Sequence, residues 1–175
     1  MGIRNYLIEG VSGAGKTTVA EALERRGHHV VHGDRVLAYL GDPETGRPLD
    51  VREGDPEADS VRWRHEHHIW EVDKVRSLVA DRSDAISFFC GGSRNFRHFI
   101  HLFDRVFVLE VDPQTLERRL AGRARDEFGG RPVERALVAR VHATREDLPA
   151  RAVSIDATAP IGRVVDDILA HCEAR

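Results

Sequence analysis

Gly10-Val11-Ser12-Gly13-Ala14-Gly15-Lys16-Thr17 fits G-x-x-x-x-G-K-[ST] without a gap, and its flanks decide the fold. Before it, Tyr6-Leu7-Ile8 is a short apolar run that predicts a buried strand. After it, Val19, Ala20 and Leu23 recur at helical spacing between Thr17 and Arg26, and Gly27 stands where a helix C-cap is expected. A strand, a glycine-rich turn and a helix in that order form a phosphate cradle. The glycines let backbone N–H groups turn inward, and the helix N-terminus adds partial positive charge. Lys16 then reaches the outer phosphates as a point charge, and the Thr17 hydroxyl is a ligand for Mg²⁺. With two Lys and 15 Gly in 175 residues, chance supplies the whole pattern at about 0.001 per chain. The expected phosphate-binding set is Gly10, Ser12, Gly13, Ala14, Gly15, Lys16, Thr17 and Thr18.

Outward from the loop, strands and helices alternate. His29-Val30-Val31-His32 predicts a second strand, with a short helix over Arg35 to Leu40. Val61 to Ala80 predicts one long helix with Ile69, Val72, Val75 and Val79 as its apolar stripe. Ala85 to Cys90 predicts a third strand stopped by Gly91-Gly92, followed by a helix over Asn95 to Phe103. Val106 to Val111 is nearly all apolar, as a strand covered on both faces would be. Asp112-Pro113 predicts a helix start, Asp as the cap and Pro at the first position. Val133 to Leu148 predicts a helix, Ala152 to Ile155 a fifth strand, and Ile161 to Ala174 a closing helix. The alternation points to an open parallel α/β sheet. Residues 41–60 carry Gly41-Asp42-Pro43-Glu44-Thr45-Gly46 and Gly54-Asp55-Pro56 and are expected to be a long functional loop.

Composition bounds the function. The length suits one domain spanning 1–175. A net charge of −3 gives no electrostatic reason for a nucleic-acid or membrane partner. No apolar run approaches the ~20 residues that span a bilayer, and no signal peptide is visible. Tyr6 stands where a myristoylation signal wants Ser or Thr. Two Cys without a C-x-x-C suit a reducing cytoplasm, so a cytoplasmic monomer or homodimer acting on a small molecule is expected. All but two of the 26 basic residues are Arg, which is compatible with phosphate chemistry and equally with genomic bias. The absence of N-K-x-D counts against a GTPase, and the chain is too short for the core plus helical lid of AAA motors. The third strand ends in Cys90, where a magnesium-side Asp is usual.

Other residues keep two readings. Asp34 at the end of the second strand could take or orient an acceptor proton, or simply cap the helix from Arg35. Arg94 after Gly91-Gly92 could clamp an acceptor phosphate or carboxylate, or be a solvated surface residue. Arg119 and Arg123, four apart, could stack on a base and neutralise transferring charge. Arg125, Arg131, Arg140 and Arg145 follow on a charged segment and the next helix. Trp63-Arg64-His65-Glu66-His67-His68-Ile69-Trp70 lacks H-E-x-x-H. On a helix its two Trp would share one face, lining a pocket or anchoring a core.

These motifs together resemble the nucleoside and nucleotide kinase group, which includes adenylate, shikimate and gluconate kinases. His32-Gly33-Asp34 looks like the segment that holds the phosphoryl acceptor, although His32 replaces a second Asp of shikimate-type kinases. Cys90-Gly91-Gly92-Ser93-Arg94-Asn95 lies where that group has D-G-F-P-R or a triple glycine. Leu116 to Arg123 is similar to E-R-L-x-x-R before a lid, and Ile155-Asp156-Ala157-Thr158-Ala159-Pro160 to the loop bordering adenine. G-D-P-E-T-G, W-x-H-E-H-H-I-W and F-F-C-G-G-S-R-N-F also look like a bacterial family labelled nucleoside kinase or ATPase. The resemblance implies a three-layer αβα P-loop fold with five parallel strands in the order 2-3-1-4-5. It implies ATP and Mg²⁺, an acceptor-binding insertion at about 41–80, and a lid at about 124–132 that is mobile until ligand binds. The expected activity is transfer of the ATP γ-phosphoryl to a nucleoside or nucleoside monophosphate. A sugar, a shikimate-like acid or an antibiotic as acceptor, or a nucleotide-binding regulator without turnover, are the alternatives. Lys16, Asp34 and Arg123 are the expected catalytic residues; Arg119 and Pro160 would border the nucleotide; Asp34, Arg35, Gly91, Gly92 and Arg94 would hold the acceptor.

Overall fold

The computed structural model describes residues 3–51 and 60–173. The Gly54-Asp55-Pro56 turn and the N-terminal Met1-Gly2 lie outside these residues. Five strands form one parallel sheet: β1 (Arg4–Glu9), β2 (His29–His32), β5 (Ile86–Cys90), β6 (Arg105–Glu110) and β7 (Val153–Asp156). The order across the sheet is β2-β5-β1-β6-β7. Two further short strands, β3 (Ala38–Leu40) and β4 (His68–Trp70), pair antiparallel outside it. They shift the strand numbering from the expected order; counted among the five parallel strands alone, the order is 2-3-1-4-5.

Strand periodicity builds the three layers. Successive side chains on β1 point to opposite faces. Tyr6 and Ile8 join one core with Phe88, Phe107 and Leu109, under α1 (Lys16–Arg25), α5 (Pro113–Ala121), α6 (Pro132–Thr144) and α7 (Ile161–Glu173). Leu7 joins the other core with Val31, Trp70, Phe89 and Phe99, under α4 (Val72–Ala80). β1, in the middle, is buried on both sides, which is why its run reads as continuously apolar. Asp112 caps α5, its carboxylate accepting the Thr115 N–H, with Pro113 at the first turn. Gly27 follows α1 with φ +82°, the left-handed backbone of a helix C-terminus.

Four expected elements change. The long helix over Val61 to Ala80 is α3 (Val61–Glu66), then β4, then α4. Ile69 and Trp70 are fully buried because β4 pairs with β3, and Trp63 and Trp70 therefore share no helix face. The buried Asn95 amide holds that strand: its Oδ1 accepts the Trp70 N–H at 3.0 Å and its Nδ2 donates to the Trp70 carbonyl at 2.9 Å. The segment Asn95 to Phe103 is two 3₁₀ turns, Phe96–His98 and Ile100–Leu102, packed through Phe99. Arg35 to Leu40 is split between α2 (Gly33–Val36) and β3, so Asp34 lies within α2 and His32 is the N-cap. The helix expected over Val133 to Leu148 ends at Thr144, Arg145 taking φ +55°.

Candidate functional site

The phosphate loop joins β1 to α1 as a shell of left-handed glycines, Gly13 at φ +91° and Gly15 at φ +106°. A Cβ on Gly13 would stand 2.8 Å from Leu116 Cδ1, so the approach of α5 also demands glycine there. Above the loop lies a cavity of about 530 Å³ lined by residues 12–19, Arg119, Arg123 and the loop after β7. Arg119 ties these walls together, donating to the Ala14 carbonyl at 3.1 Å and the Ala157 carbonyl at 2.7 Å. Arg123 donates to Ser12 Oγ at 2.8 Å and to the Phe128 carbonyl. Lys16 turns its ammonium back onto the Gly10 and Val11 carbonyls. Burial lowers its pKa, opposed by Asp34 and Glu9. A glycine cradle, a lysine and two arginines around a cavity of this size fit the triphosphate of ATP, and the exposed Thr17 hydroxyl fits a Mg²⁺ ligand.

A second cavity of about 450 Å³ adjoins the first, and Ser12, Lys16 and Asp34 line both. Three groups converge on Asp34 Oδ1: the Gly92 N–H at 3.1 Å, the Trp70 indole N–H at 3.4 Å and His68 Nε2 at 3.3 Å. Burial disfavours the ionised form, but the His68 contact and the Lys16 charge outweigh it and hold Asp34 below the usual carboxylate range. Gly91 is required here, because a Cβ would meet the Trp70 ring at 2.5 Å and Asp34 Oδ1 at 2.7 Å. Arg94 enters from the β5 loop and forms an ion pair with Asp147, whose other oxygen contacts His65 Nε2. Burial would raise Asp147, but His65 and Arg94 prevail and keep it ionised. Glu9, the last residue of β1, is 1% exposed and carries an Oε1 without a hydrogen-bond partner. Burial lifts its pKa to about 7, against the pull of Arg94 and Lys16.

Most expected site residues reach these cavities, with exceptions. Ser12, Gly13, Ala14, Gly15, Lys16, Thr17, Thr18, Arg119 and Arg123 line the first; Gly10 faces the second. Pro160 lines neither, although Ala159 and Ile161 beside it line the first. Arg35 is exposed and lines neither. Gly92 and Arg94 line the second, but Arg94 is committed to Asp147. Asp34 is a hub of hydrogen bonds and no cap. Arg131, Arg140 and Arg145 pair with Glu134, Glu146 and Glu110. Among the described residues no cluster of three His, Cys, Asp or Glu could hold an ion. Members of the His-rich segment have other partners, His67 stacking on Trp63 at 4.2 Å. Sequence reasoning missed Glu9, His68 and Asp147. Glu9 had one signal, a charge ending an apolar strand; the others have partners remote in sequence.

A family model described as an AAA domain matches residues 7–136. No curated protein sequence matches the chain significantly. Among solved structures, a shikimate kinase from Bacteroides thetaiotaomicron superposes with TM-score 0.61 at 15% identity, covering 98% of this chain and 99% of that one. A gluconokinase from Sinorhizobium meliloti 1021 gives TM-score 0.55 at 22% identity, covering 95% and 90%. A deoxyadenosine kinase from M. mycoides with bound dATP gives 0.55 at 15%, covering 97% and 100%. At these identities the likeness establishes the fold. The family description does not name a nucleoside kinase. Among the described residues no helix is long and apolar enough to cross a membrane. Over residues 7–136, from β1 into α6, the chain belongs to the AAA domain family, folded as the P-loop small-molecule kinases are.

Proposed function

We propose that the protein transfers the γ-phosphoryl group of ATP to a small acceptor, to a hydroxyl of a nucleoside or to a phosphate oxygen of a nucleoside monophosphate. The observation that carries this reading is the meeting of two cavities at Lys16 and Asp34. A phosphate-binding cavity opening onto a second, partly apolar one through a lysine and a carboxylate suits transfer between two bound molecules. Phosphoryl transfer needs mainly positioning and neutralised charge. Lys16 and the loop amides hold the donor phosphates, and Thr17 offers its hydroxyl to Mg²⁺. Arg123 neutralises charge as it shifts toward the bridging oxygen. Where the acceptor is a hydroxyl, Asp34 takes its proton on Oδ2, the oxygen that carries none of the three bonds above; an ionised phosphate oxygen brings no proton to remove. The acceptor O–P bond forms, the bond to the leaving diphosphate breaks, and the hydroxyl's proton stays on the carboxylate until product leaves.

A second acceptor class, sugars and sugar acids, draws on the fold likeness to the gluconokinase. Incubation with ATP, Mg²⁺ and a panel of nucleosides, nucleoside monophosphates and sugars, read by mass spectrometry, tests both. A monophosphorylated nucleoside or a nucleoside diphosphate is the expected product. Tight ATP binding with no product on any acceptor would overturn the kinase reading in favour of a nucleotide-binding regulator.

A further inference from the structure

The second cavity contains a charge arrangement that bears on what it accepts. Arg94 is a cation set deep in it, its side chain 13% exposed. Its guanidinium faces two carboxylates, the ion-paired Asp147, itself 17% exposed, and the electrostatically coupled Glu9. Lys16 lines both cavities with its ammonium on the Gly10 and Val11 carbonyls, and Arg64 is an exposed lining residue. Leu40, Phe128, Leu137, Val141 and Leu148 form the apolar part of the cavity wall. An acceptor bearing a carboxylate or phosphate would have to leave water and take Arg94 from Asp147. Asp147 would then be a buried anion beside a second anion, a costly juxtaposition. A neutral hydroxyl compound meets no such barrier, and an apolar face on it would gain from the wall.

We infer that the acceptor is an uncharged hydroxyl compound with one apolar face, of nucleoside size, and that Asp147 sets this preference by occupying Arg94. The inference rests on the kinase reading and selects the nucleoside over its monophosphate and the neutral sugar over the sugar acid. Asp147 acts through Arg94 and is a positioning residue. Repulsion against the wrong partner is a common route to specificity. Removing the carboxylate should therefore admit anions: in D147N the guanidinium regains a free positive charge while the side-chain shape is kept.

The experiment compares matched pairs that differ in one acidic group, thymidine with thymidine 5′-monophosphate and glucose with glucuronate. Binding is measured by calorimetry with a saturating non-hydrolysable ATP analogue in the donor cavity, and transfer by ADP release. The wild type is expected to bind the neutral member of a pair at least tenfold more tightly. D147N is expected to shift that ratio toward the anion by tenfold or more, with the shift shrinking as salt rises. H65Q removes the other partner of Asp147 but leaves its charge, so it should leave the ratio where it was. Equal or tighter binding of the anionic members by the wild type, or equal ratio shifts in H65Q and D147N, would overturn the inference. Preferential neutral binding without transfer would leave it standing and remove the kinase reading; transfer to the acids first would do the reverse.

Discussion

At the scale of single residues, two carboxylates near Lys16, one buried and one exposed, do opposite things. Asp34 is held ionised by donors and by Lys16, and is therefore fit to accept a proton. Asp34→Asn keeps the size and an acceptor oxygen but loses the base. Steady-state kinetics should show kcat lower by about 10²-fold or more, with ATP affinity by calorimetry nearly unchanged. Glu9 is raised to about 7 because burial penalises its charge. A carboxyl whose folded pKa lies above its unfolded value binds its proton more tightly when folded, so stability falls as pH rises between the two values. That window runs from about 4.5 to about 7 here, and the loss is complete above it. Glu9→Gln removes the penalty, and urea denaturation should find the variant more stable at pH 8 by up to about 3 kcal/mol. At pH 4.5 the two proteins should be alike; an equal difference at both pH values would exclude this titration as the cause.

At the scale of elements, the segment from α5 to α6 links the two cavities. Arg123 follows α5, binds Ser12 of the phosphate loop and reaches across the turn to the Phe128 carbonyl. Phe128 in turn lies parallel to His65 of α3, ring centres 6.4 Å apart. At the far end, Glu134 is buried and accepts the Gly129 N–H at 2.9 Å and the Arg131 N–H at 3.1 Å. Between these anchors residues 124–127 are exposed and carry little apolar surface. We therefore expect local opening there without ligand, and closure when ATP phosphates draw in Arg123. Hydrogen exchange should show protection rising at 124–128 with a non-hydrolysable ATP analogue, while 129–134 changes less. Arg123→Ala should lower kcat by roughly 10²-fold, more than it weakens ATP binding, because the charge it meets grows during transfer. Equal strong protection with and without the analogue would argue for a permanently ordered loop.

At the scale of the whole molecule, both cavities open at the carboxyl edge of a parallel sheet, where strand ends deliver Glu9, His32-Gly33-Asp34 and Cys90-Gly91-Gly92 side by side. The register sets this: Ile8 pairs with Cys90, and Cys90 with His32, so three loops leave the sheet at one level. Ligand in the cavity thus braces elements from both layers. A ligand that binds only the folded state at 100 times its dissociation constant stabilises by about 2.7 kcal/mol. For a chain of this size that is an upward shift of roughly 5–10 °C in Tm. Mg·ATP should produce such a shift by scanning calorimetry, and Lys16→Ala should abolish most of it.

Sequence by itself determined the donor half. Gly10 to Thr17, the apolar strand before them and the capped helices after them are local patterns, each legible because neighbours in sequence are neighbours in space. Arg119 and Arg123 were legible for the same reason, lying four apart beside a helix end. The second cavity was decided by tertiary structure. His65 to Trp70 carries an amphipathic look that suits a helix, yet the Asn95 amide and the β3 backbone capture His68–Trp70 as a strand, because buried backbone groups must be paired. The state of Arg94 depended on Asp147, far along the chain and past the end of α6. Electrostatic partners chosen by the folding of distant loops leave no period or spacing to read, and only the fold brings Glu9, Asp34, Arg94 and Asp147 around one cavity.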